Sequence, residues 1–436
     1  MSFDPGIEVA DVAIAGAGGA GLLAGIAAAK AGAKVVIYER MKTAAKKVAI
    51  SGGGRCNFTN TLDPRSFVRL FGDKNSKFLG HALRAFSNSE AIEMLKKYGV
   101  EGQVEKNYRL YTKSGRGGDV VDALVREFQS HGGVLKLLTR IQSLAREGGE
   151  FRMALAVGEK GERSEEGRAK TLVVCTGGLS YPVTGSTGDG YHWARGLGHS
   201  VTPLRPALVG MTCAETWTKS LSGLSWDDAQ VSLYPFEASL IPQGKPVGIE
   251  RAEILFTHFG VSGPAILDIS NVFVNNGLTK GLLCIDLFPE IPRQQLEEKL
   301  QAKFKEFPNR TPARALDGML PNRLLETIET SLGAEGIVPV TRLPKAARIK
   351  LLDSFKRLTL TATGTRGMEY GEVTAGGIEW DKIEPTTLES KLVPGLYFAG
   401  EILDLTGRCG GFNLQAAFST GYLAGSTAAR AATGQM

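Results

Sequence analysis

The run Gly16-Ala17-Gly18-Gly19-Ala20-Gly21 sits between a short apolar stretch and an alanine-rich one, and it narrows the start of this chain to one kind of fold. Residues 11–15 predict a strand, 22–30 a helix ended by Ala31-Gly32-Ala33, and 34–38 (KVVIY) a second strand, with Glu39 just beyond it. GxGxxG placed inside a strand–helix–strand unit is the signature of a dinucleotide-binding turn. Gly16 permits the tight exit from the strand, Gly18 lets a pyrophosphate approach the backbone, and Gly21 lets the helix pack closely on the sheet. The helix N-terminus offers free N–H groups to the phosphates. Gly16, Gly18, Gly19 and Gly21 are therefore candidate nucleotide-binding positions. Glu39 can accept hydrogen bonds from ribose hydroxyls, with Arg40 beside it as a second candidate. The motif alone does not separate FAD from NAD.

The chain of 436 residues is too long for one typical core and predicts two or three domains. Its 55 glycines exceed the usual share of roughly 7% and cluster at a few points, which implies backbone held close to a ligand. A net charge of +6 is mild for this length and can favour an anionic substrate or cofactor. No basic stripe with interleaved aromatics appears, so no nucleic-acid partner is expected. Cys56, Cys175, Cys213, Cys284 and Cys409 show no CxxC spacing, so neither a metal site nor a dithiol relay is signalled. Scattered thiols fit a cytoplasmic location, and the N-terminus lacks the pattern of a secretory signal. The apolar run 12–29 is broken by glycines and reads as a buried strand entering a buried helix, not a membrane span.

A second glycine cluster, Lys46-Lys47-Val48-Ala49-Ile50-Ser51-Gly52-Gly53-Gly54-Arg55-Cys56-Asn57, reads as a loop able to wrap a pyrophosphate and a ribityl chain. Lys47, Ser51, Gly53, Arg55, Cys56 and Asn57 are its candidate contacts, Ser51 and Asn57 through hydrogen bonds and Arg55 through charge. Far along the chain, Gly395-Leu396-Tyr397-Phe398-Ala399-Gly400-Glu401 predicts a strand ending on Gly and an acid. Gly407-Arg408-Cys409-Gly410-Gly411-Phe412-Asn413-Leu414 then leads into a helix of small residues. A simple NAD domain does not need this second signature. In FAD enzymes of the glutathione-reductase type, such an acid reaches the ribityl hydroxyls and such a helix aims its N-terminus at the flavin. That adds Gly400, Glu401, Gly411, Asn413 and Leu414. The apolar run 171–175 closing on Thr176-Gly177-Gly178 is similar to the motif at which such chains leave the nucleotide domain.

On these strings the chain resembles the BaiN/RdsA-type NAD(P)/FAD-dependent oxidoreductases, aminoacetone-oxidase-like FAD-binding flavoproteins. The likeness extends through Leu255-Phe256-Thr257-His258-Phe259-Gly260-Val261-Ser262-Gly263-Pro264 and Val373-Thr374-Ala375-Gly376-Gly377, nearly end to end. It implies an α/β fold: a discontinuous Rossmann-like FAD-binding domain with an inserted β-barrel and a small helical domain. It places FAD against Gly16, Gly18, Gly21, Glu39, Arg55, Asn57, Gly400, Glu401, Asn413 and Leu414, with backbone groups at Ile141 offered to adenine. The stretch Tyr108-Arg109-Leu110-Tyr111-Thr112-Lys113-Ser114 lacks the Phe-Pro common in the family but keeps Ser114, which leaves only the shape of that loop open. The family's activities include reduction of an unsaturated carbonyl compound and oxidation of an amine by oxygen, with NADH or NADPH as an electron donor in the first case.

The expected organisation is a first FAD-binding segment at 1–203, an insert at 204–358 and a second FAD-binding segment at 359–436. Within the first, 89–98 and 119–128 predict helices, 134–138, 151–157 and 171–174 strands, and the charged stretch 159–170 an exposed hairpin tip. Within the insert, 208–212, 230–234 and 282–287 predict strands, and 293–304 and 322–332 helices. The insert carries no dinucleotide fingerprint and reads as a substrate-facing cap. His258 can act as acid or base in a flavin reaction, or simply cap the helix after Pro264. Tyr181 can donate a proton or stack near the flavin, or be a core residue. Arg366 and Arg408 can hold an anion or serve the surface. The chain thus reads as an FAD-dependent oxidoreductase moving a hydride through flavin N5 with a small-molecule substrate; an oxygen-using amine oxidase and a non-catalytic FAD-binding sensor or electron carrier are the alternatives.

Overall fold

The structure, a computed structural model, describes residues 9–236, 242 and 244–434. The chain divides into two compact units, Met1–Pro206 with Gly371–Met436, and Ala207–Tyr370.

The first unit is built on β1 (Ala10–Ala15), α1 (Gly19–Lys30) and β2 (Val35–Tyr38), the predicted β-α-β unit. β1 pairs in parallel with β2, Val12 opposite Val35. A separate small antiparallel sheet is made by β3 (Asn57–Asn60), β4 (Gly102–Val104) and β5 (Arg109–Thr112), with β5 in the middle. After α2 (Gly118–Ser130), β6 (Val134–Lys136) joins the outer side of β2. β7 (Thr139–Glu147), β8 (Glu150–Val157) and β9 (Arg163–Val174) form an antiparallel meander. The inner end of β9 runs parallel to β1 on one side and to β10 (Leu396–Phe398) on the other. β10 thereby brings the late chain segment into the early sheet. α1 is apolar on all sides and buried, as befits a helix enclosed in a core. It packs on α3 (Phe412–Thr433), the last helix.

Of the charged stretch 159–170, only residues 159–162 belong to the exposed hairpin tip between β8 and β9; the rest is strand. Arg163–Val174 is one strand, whose first half pairs with β8 from Val157↔Arg163 to Phe151↔Ala169. Its charged residues are tolerated because an antiparallel sheet can leave a face in water.

The second unit holds a closed barrel of strands Met211–Cys213, Gly260–Ser262, Gly248–Thr257, Ser225–Pro235, Gly281–Asp286 and Leu358–Thr365, in that spatial order. Every pairing is antiparallel, and closure leaves no open edge. Val231, Leu233, Ile254, Phe256, Leu283, Ile285 and Leu360 fill its interior. Helices Arg293–Glu306, Asn322–Ser331 and Lys345–Lys356 make the helical part. The boundary expected between 358 and 359 falls on the first residue of the strand that closes the barrel. Leu358–Thr365 completes the ladder with Met211–Cys213, so the division lies after Tyr370.

Candidate functional site

The site grows from the turn between β1 and α1. Gly16 has φ 98°, and a Cβ on Gly21 would stand 1.9 Å from the Gly16 carbonyl oxygen. Only glycine fits at both places, so helix and strand meet at backbone distance. Gly18 caps α1, and a Cβ there would meet nothing within 4 Å. The approach to this helix N-terminus is open. Gly19 instead makes room for the Phe418 ring of α3.

Glu39 is buried at the end of β2. Its Oε2 accepts from the Ala17 amide at 2.8 Å and its Oε1 from the Met41 amide at 2.8 Å. Burial raises its carboxyl, and these backbone bonds draw it back down. Its first duty is thus to hold the glycine turn, and each oxygen keeps a lone pair for a further donor. Arg40 donates to Thr187 Oγ1 at the surface, 2.6 Å away.

The second glycine cluster is more ordered than a wrapping loop. It forms a helix Lys46–Ile50, a 3-10 turn Ser51–Gly54 and then β3. Ser51 Oγ donates to the Val48 carbonyl, and Gly53 lies open with nothing near its missing side chain. Arg55 pairs with Glu105 at 2.7 Å and stacks over the Tyr111 ring. Cys56 is fully buried, and burial pushes its thiol up to about 11. Asn57 is buried with no partner for its Oδ1.

Four distant segments meet at Glu401. Its Oε1 accepts from Ser180 Oγ at 2.9 Å and from the Thr374 amide at 2.9 Å, while Lys47 Nζ lies 3.0 Å from its Oε2. Lys47 also donates to Ser180 Oγ at 3.0 Å. Thr374 Oγ1 accepts from the amides of Leu179 and Ser180. Gly178 sits so near that a Cβ would lie 2.2 Å from Thr374 Oγ1. Gly177, at φ 71°, precedes it, and the buried Thr176 hydroxyl has no partner. Gly400 donates its amide to Thr420 Oγ1 of α3. Ser180 and Thr374 were not among the sequence candidates, although Thr374 falls inside a string that carried the resemblance and Ser180 lies two residues beyond Gly178.

At α3 the helix begins on Gly411, where a Cβ would stand 2.2 Å from the Thr59 carbonyl oxygen. Asn413 accepts from the Gly407 amide at 2.8 Å and donates to the carbonyls of Gly407 and Arg408. It therefore shapes the loop in front of the helix. Leu414 packs against the core. Ile141 lies in β7 opposite Leu155, and the register shifts immediately after it. Such a bulge interrupts the ladder and frees backbone groups.

Tyr181 is not a core residue. It is exposed and holds a left-handed backbone, φ 54° and ψ 58°, ahead of the turn Pro182–Thr184. His258 belongs to the second unit, at the exposed turn between two barrel strands, with its ring edge-on to Phe259. It does not cap the following helix, whose N-cap is Gly263 without a side-chain bond. Arg366 lies over the rings of Phe259 and Tyr370.

These residues fit a dinucleotide. The open helix N-terminus at Gly18 suits a diphosphate, and the orphaned Asn57 Oδ1 and Thr176 Oγ1 are buried polar atoms that ask for a partner. Among the described residues no cysteine forms a disulfide, and no group of His, Cys, Asp and Glu could hold a metal. No helix among them is long and apolar enough to cross a membrane.

A family model described as the HI0933-like protein Rossmann domain matches residues 10–427. The chain belongs to the HI0933-like family. It is an FAD-dependent oxidoreductase. It is 32% identical to a ribosomal RNA dihydrouridine synthase of Haemophilus influenzae, over 94% of this chain and 96% of that one. It is 30% identical to a 3-dehydro-bile acid delta(4,6)-reductase of Clostridium scindens, over 96% and 98%. Its fold is similar to that of a 3-ketosteroid-delta4-(5alpha)-dehydrogenase of Rhodococcus jostii, with a TM-score of 0.53 at 15% identity, covering 98% of each chain.

Proposed function

We propose that this HI0933-like protein reduces a carbon–carbon double bond conjugated to a carbonyl group, using NADH or NADPH as the electron donor. The observation that carries this is a bond common to two relatives with unlike substrates. Making dihydrouridine saturates the C5–C6 bond of uracil, which is conjugated to the C4 carbonyl. A reductase of a 3-dehydro delta(4,6) bile acid acts on a bond conjugated to the 3-keto group. Bound FAD supplies two-electron hydride chemistry at N5.

The chain's own residues have separable tasks in this reading. Gly16, Gly18 and Gly21 bring backbone to the diphosphate, and Glu39 and Arg40 stand at the ribose end. Asn57 and Thr176 give their unspent polar atoms to the cofactor. The Lys47–Glu401 pair fixes the segment that carries Gly177 and Gly178 beside the ribityl chain. Gly411, Asn413 and Leu414 present the N-terminus of α3 to the pyrimidine end of the flavin.

The 3-dehydro-bile acid reductase relative favours a small conjugated ketone, whereas the ribosomal RNA relative favours a uracil ring. One experiment separates them. The protein is reduced anaerobically with NADH or NADPH, then mixed with a 4,6-dien-3-one steroid or with a uridine-bearing ribosomal RNA transcript. The expected result is return of oxidised flavin absorbance with one of the two, and a product richer by two hydrogens. Reduction by an amine, followed by reoxidation with oxygen alone, would show the reading to be wrong.

A further inference from the structure

Arg109 opens β5, the middle strand of the small sheet, opposite Asn60, and Tyr111 stands two residues on, opposite Asn57. Side chains two apart on a strand share a face, so both lie on one side of the sheet. The Arg55 guanidinium covers the Tyr111 ring at 4.1 Å. This sheet is clamped to the start of α3. Asn60 Nδ2 donates to the Gly410 carbonyl at 3.1 Å. Arg109 packs on Gly410, where a Cβ would stand 3.4 Å from both its Cγ and its Nε.

Charge is not balanced at this junction. Arg55 is spent on Glu105 at 2.7 Å and Lys47 on Glu401 at 3.0 Å. The half-buried Arg109 makes no hydrogen bond or ion pair among the described residues, and its Nε is buried without a partner. Glu372 lies within electrostatic reach of it but forms no ion pair with it. Tyr111 is only 9% exposed, and among the described residues its phenol has no hydrogen bond either. Helix α3 runs for 22 residues from Gly411 with no side-chain cap and no acid in its first turn, so its positive end is also unmatched. Buried donors left unpaired are costly. A cation, a phenol and a helix N-terminus grouped in this way suit a ligand that accepts hydrogen bonds and carries negative charge.

We propose that Arg109, together with the N-terminus of α3, holds the negative charge that the flavin gains at N1 and the C2 oxygen on reduction, and so raises its reduction potential. This rests on the placement of FAD given above, with the pyrimidine end at α3. A hydride from the nicotinamide brings two electrons and one proton to N5. The ring is neutral before the transfer and carries one negative charge after it, and no proton is drawn from the protein. Arg109 is a fixed cation at the place where that charge develops. It therefore binds reduced FAD more tightly than oxidised FAD, and the ratio of the two affinities sets the shift in potential. For a two-electron couple, each tenfold in that ratio is worth about 30 mV.

The test compares full-length wild type, Arg109→Gln and Arg109→Lys, each loaded with FAD. Potentials are read by anaerobic equilibration with a reference dye. Sulfite is the second probe, because its addition at N5 places the same negative charge on the ring without any redox partner. The wild type is expected to bind sulfite. In Arg109→Gln, sulfite affinity should fall at least about tenfold, the worth of a charge-assisted hydrogen bond. Its potential should drop by about 30 mV or more, while oxidised FAD is retained nearly as in the wild type. Arg109→Lys keeps the charge and should recover most of both. A Gln variant with wild-type potential and sulfite affinity would overturn the role of Arg109 and leave the FAD placement standing. So would equal loss of oxidised and reduced FAD, or a variant slowed only in reoxidation by the conjugated substrate. A wild type that forms no sulfite adduct would overturn it without any variant. A wild type that takes up no FAD would remove the placement and this role together.

Discussion

Asn57 and Glu401 stand in the same candidate site, but their side chains are bound differently. Asn57 Oδ1 has no partner within the protein, so removing it takes nothing from the fold. Asn57→Ala is expected to weaken FAD binding by roughly tenfold, the worth of one hydrogen bond, with little change in melting temperature. Glu401 is held by Ser180, Thr374 and Lys47. Glu401→Ala strands the Thr374 amide and the Lys47 ammonium, so it should lower stability by about 2 kcal/mol as well as FAD retention. Thermal melts of the apoproteins alongside FAD titrations separate the two effects. The sequence marked both residues, and for Glu401 it pointed to the ribityl chain without showing the cluster around it. Its partners lie as far as 354 positions away, and hydrogen bonds of that range leave no local pattern. Gly16 and Gly21 were legible because the turn they make is complete within six residues of sequence.

Helix α1 meets α3 through backbone. A Cβ on Gly425 would stand 2.0 Å from the Ala24 carbonyl oxygen, and one on Gly421 would stand 2.1 Å from that of Ala20. Helix propensity alone would make Gly425→Ala stabilising by about 1 kcal/mol. The clash reverses the sign, and a net loss of about 2 kcal/mol is expected in chemical denaturation. Another junction is electrostatic. Glu127 of α2 is buried and receives Lys30 of α1 at 2.6 Å, Lys97 at 2.8 Å and Tyr98 at 2.6 Å. Burial would raise its carboxyl, but these hydrogen bonds outweigh it and bring the group from 4.5 down to about 2. A depressed acid stabilises the fold above its unfolded value and loses that contribution as pH falls through its folded value. Wild-type stability should therefore drop between about pH 4.5 and pH 2 more steeply than that of Glu127→Gln; parallel curves would contradict it. Element prediction followed the same division. Apolar runs such as Val35–Tyr38 and Gly281–Asp286 were legible. Residues 163–170 of the strand Arg163–Val174, and the strand Gly248–Thr257, hid behind their charged residues, whereas 171–174 was legible.

The chain is one polypeptide folded as two units, and the second is continuous in sequence. Its first strand, Met211–Cys213, pairs with its last, Leu358–Thr365, so its ends lie together. A fragment spanning 207–370 is expected to fold alone, with a cooperative melt and no affinity for FAD. One ending at residue 358 lacks the closing strand and should not fold. The FAD-binding unit is the opposite case, because β10 and α3 come from the far end of the chain. The resemblance gave that discontinuity, whereas the point of return had to come from the barrel ladder. The central claim is that these remote segments join to hold FAD, and absorbance of the purified full-length protein tests it most directly. The account predicts a yellow protein, or a colourless one that becomes yellow with stoichiometric FAD uptake. A folded protein that stays colourless in excess FAD would contradict it.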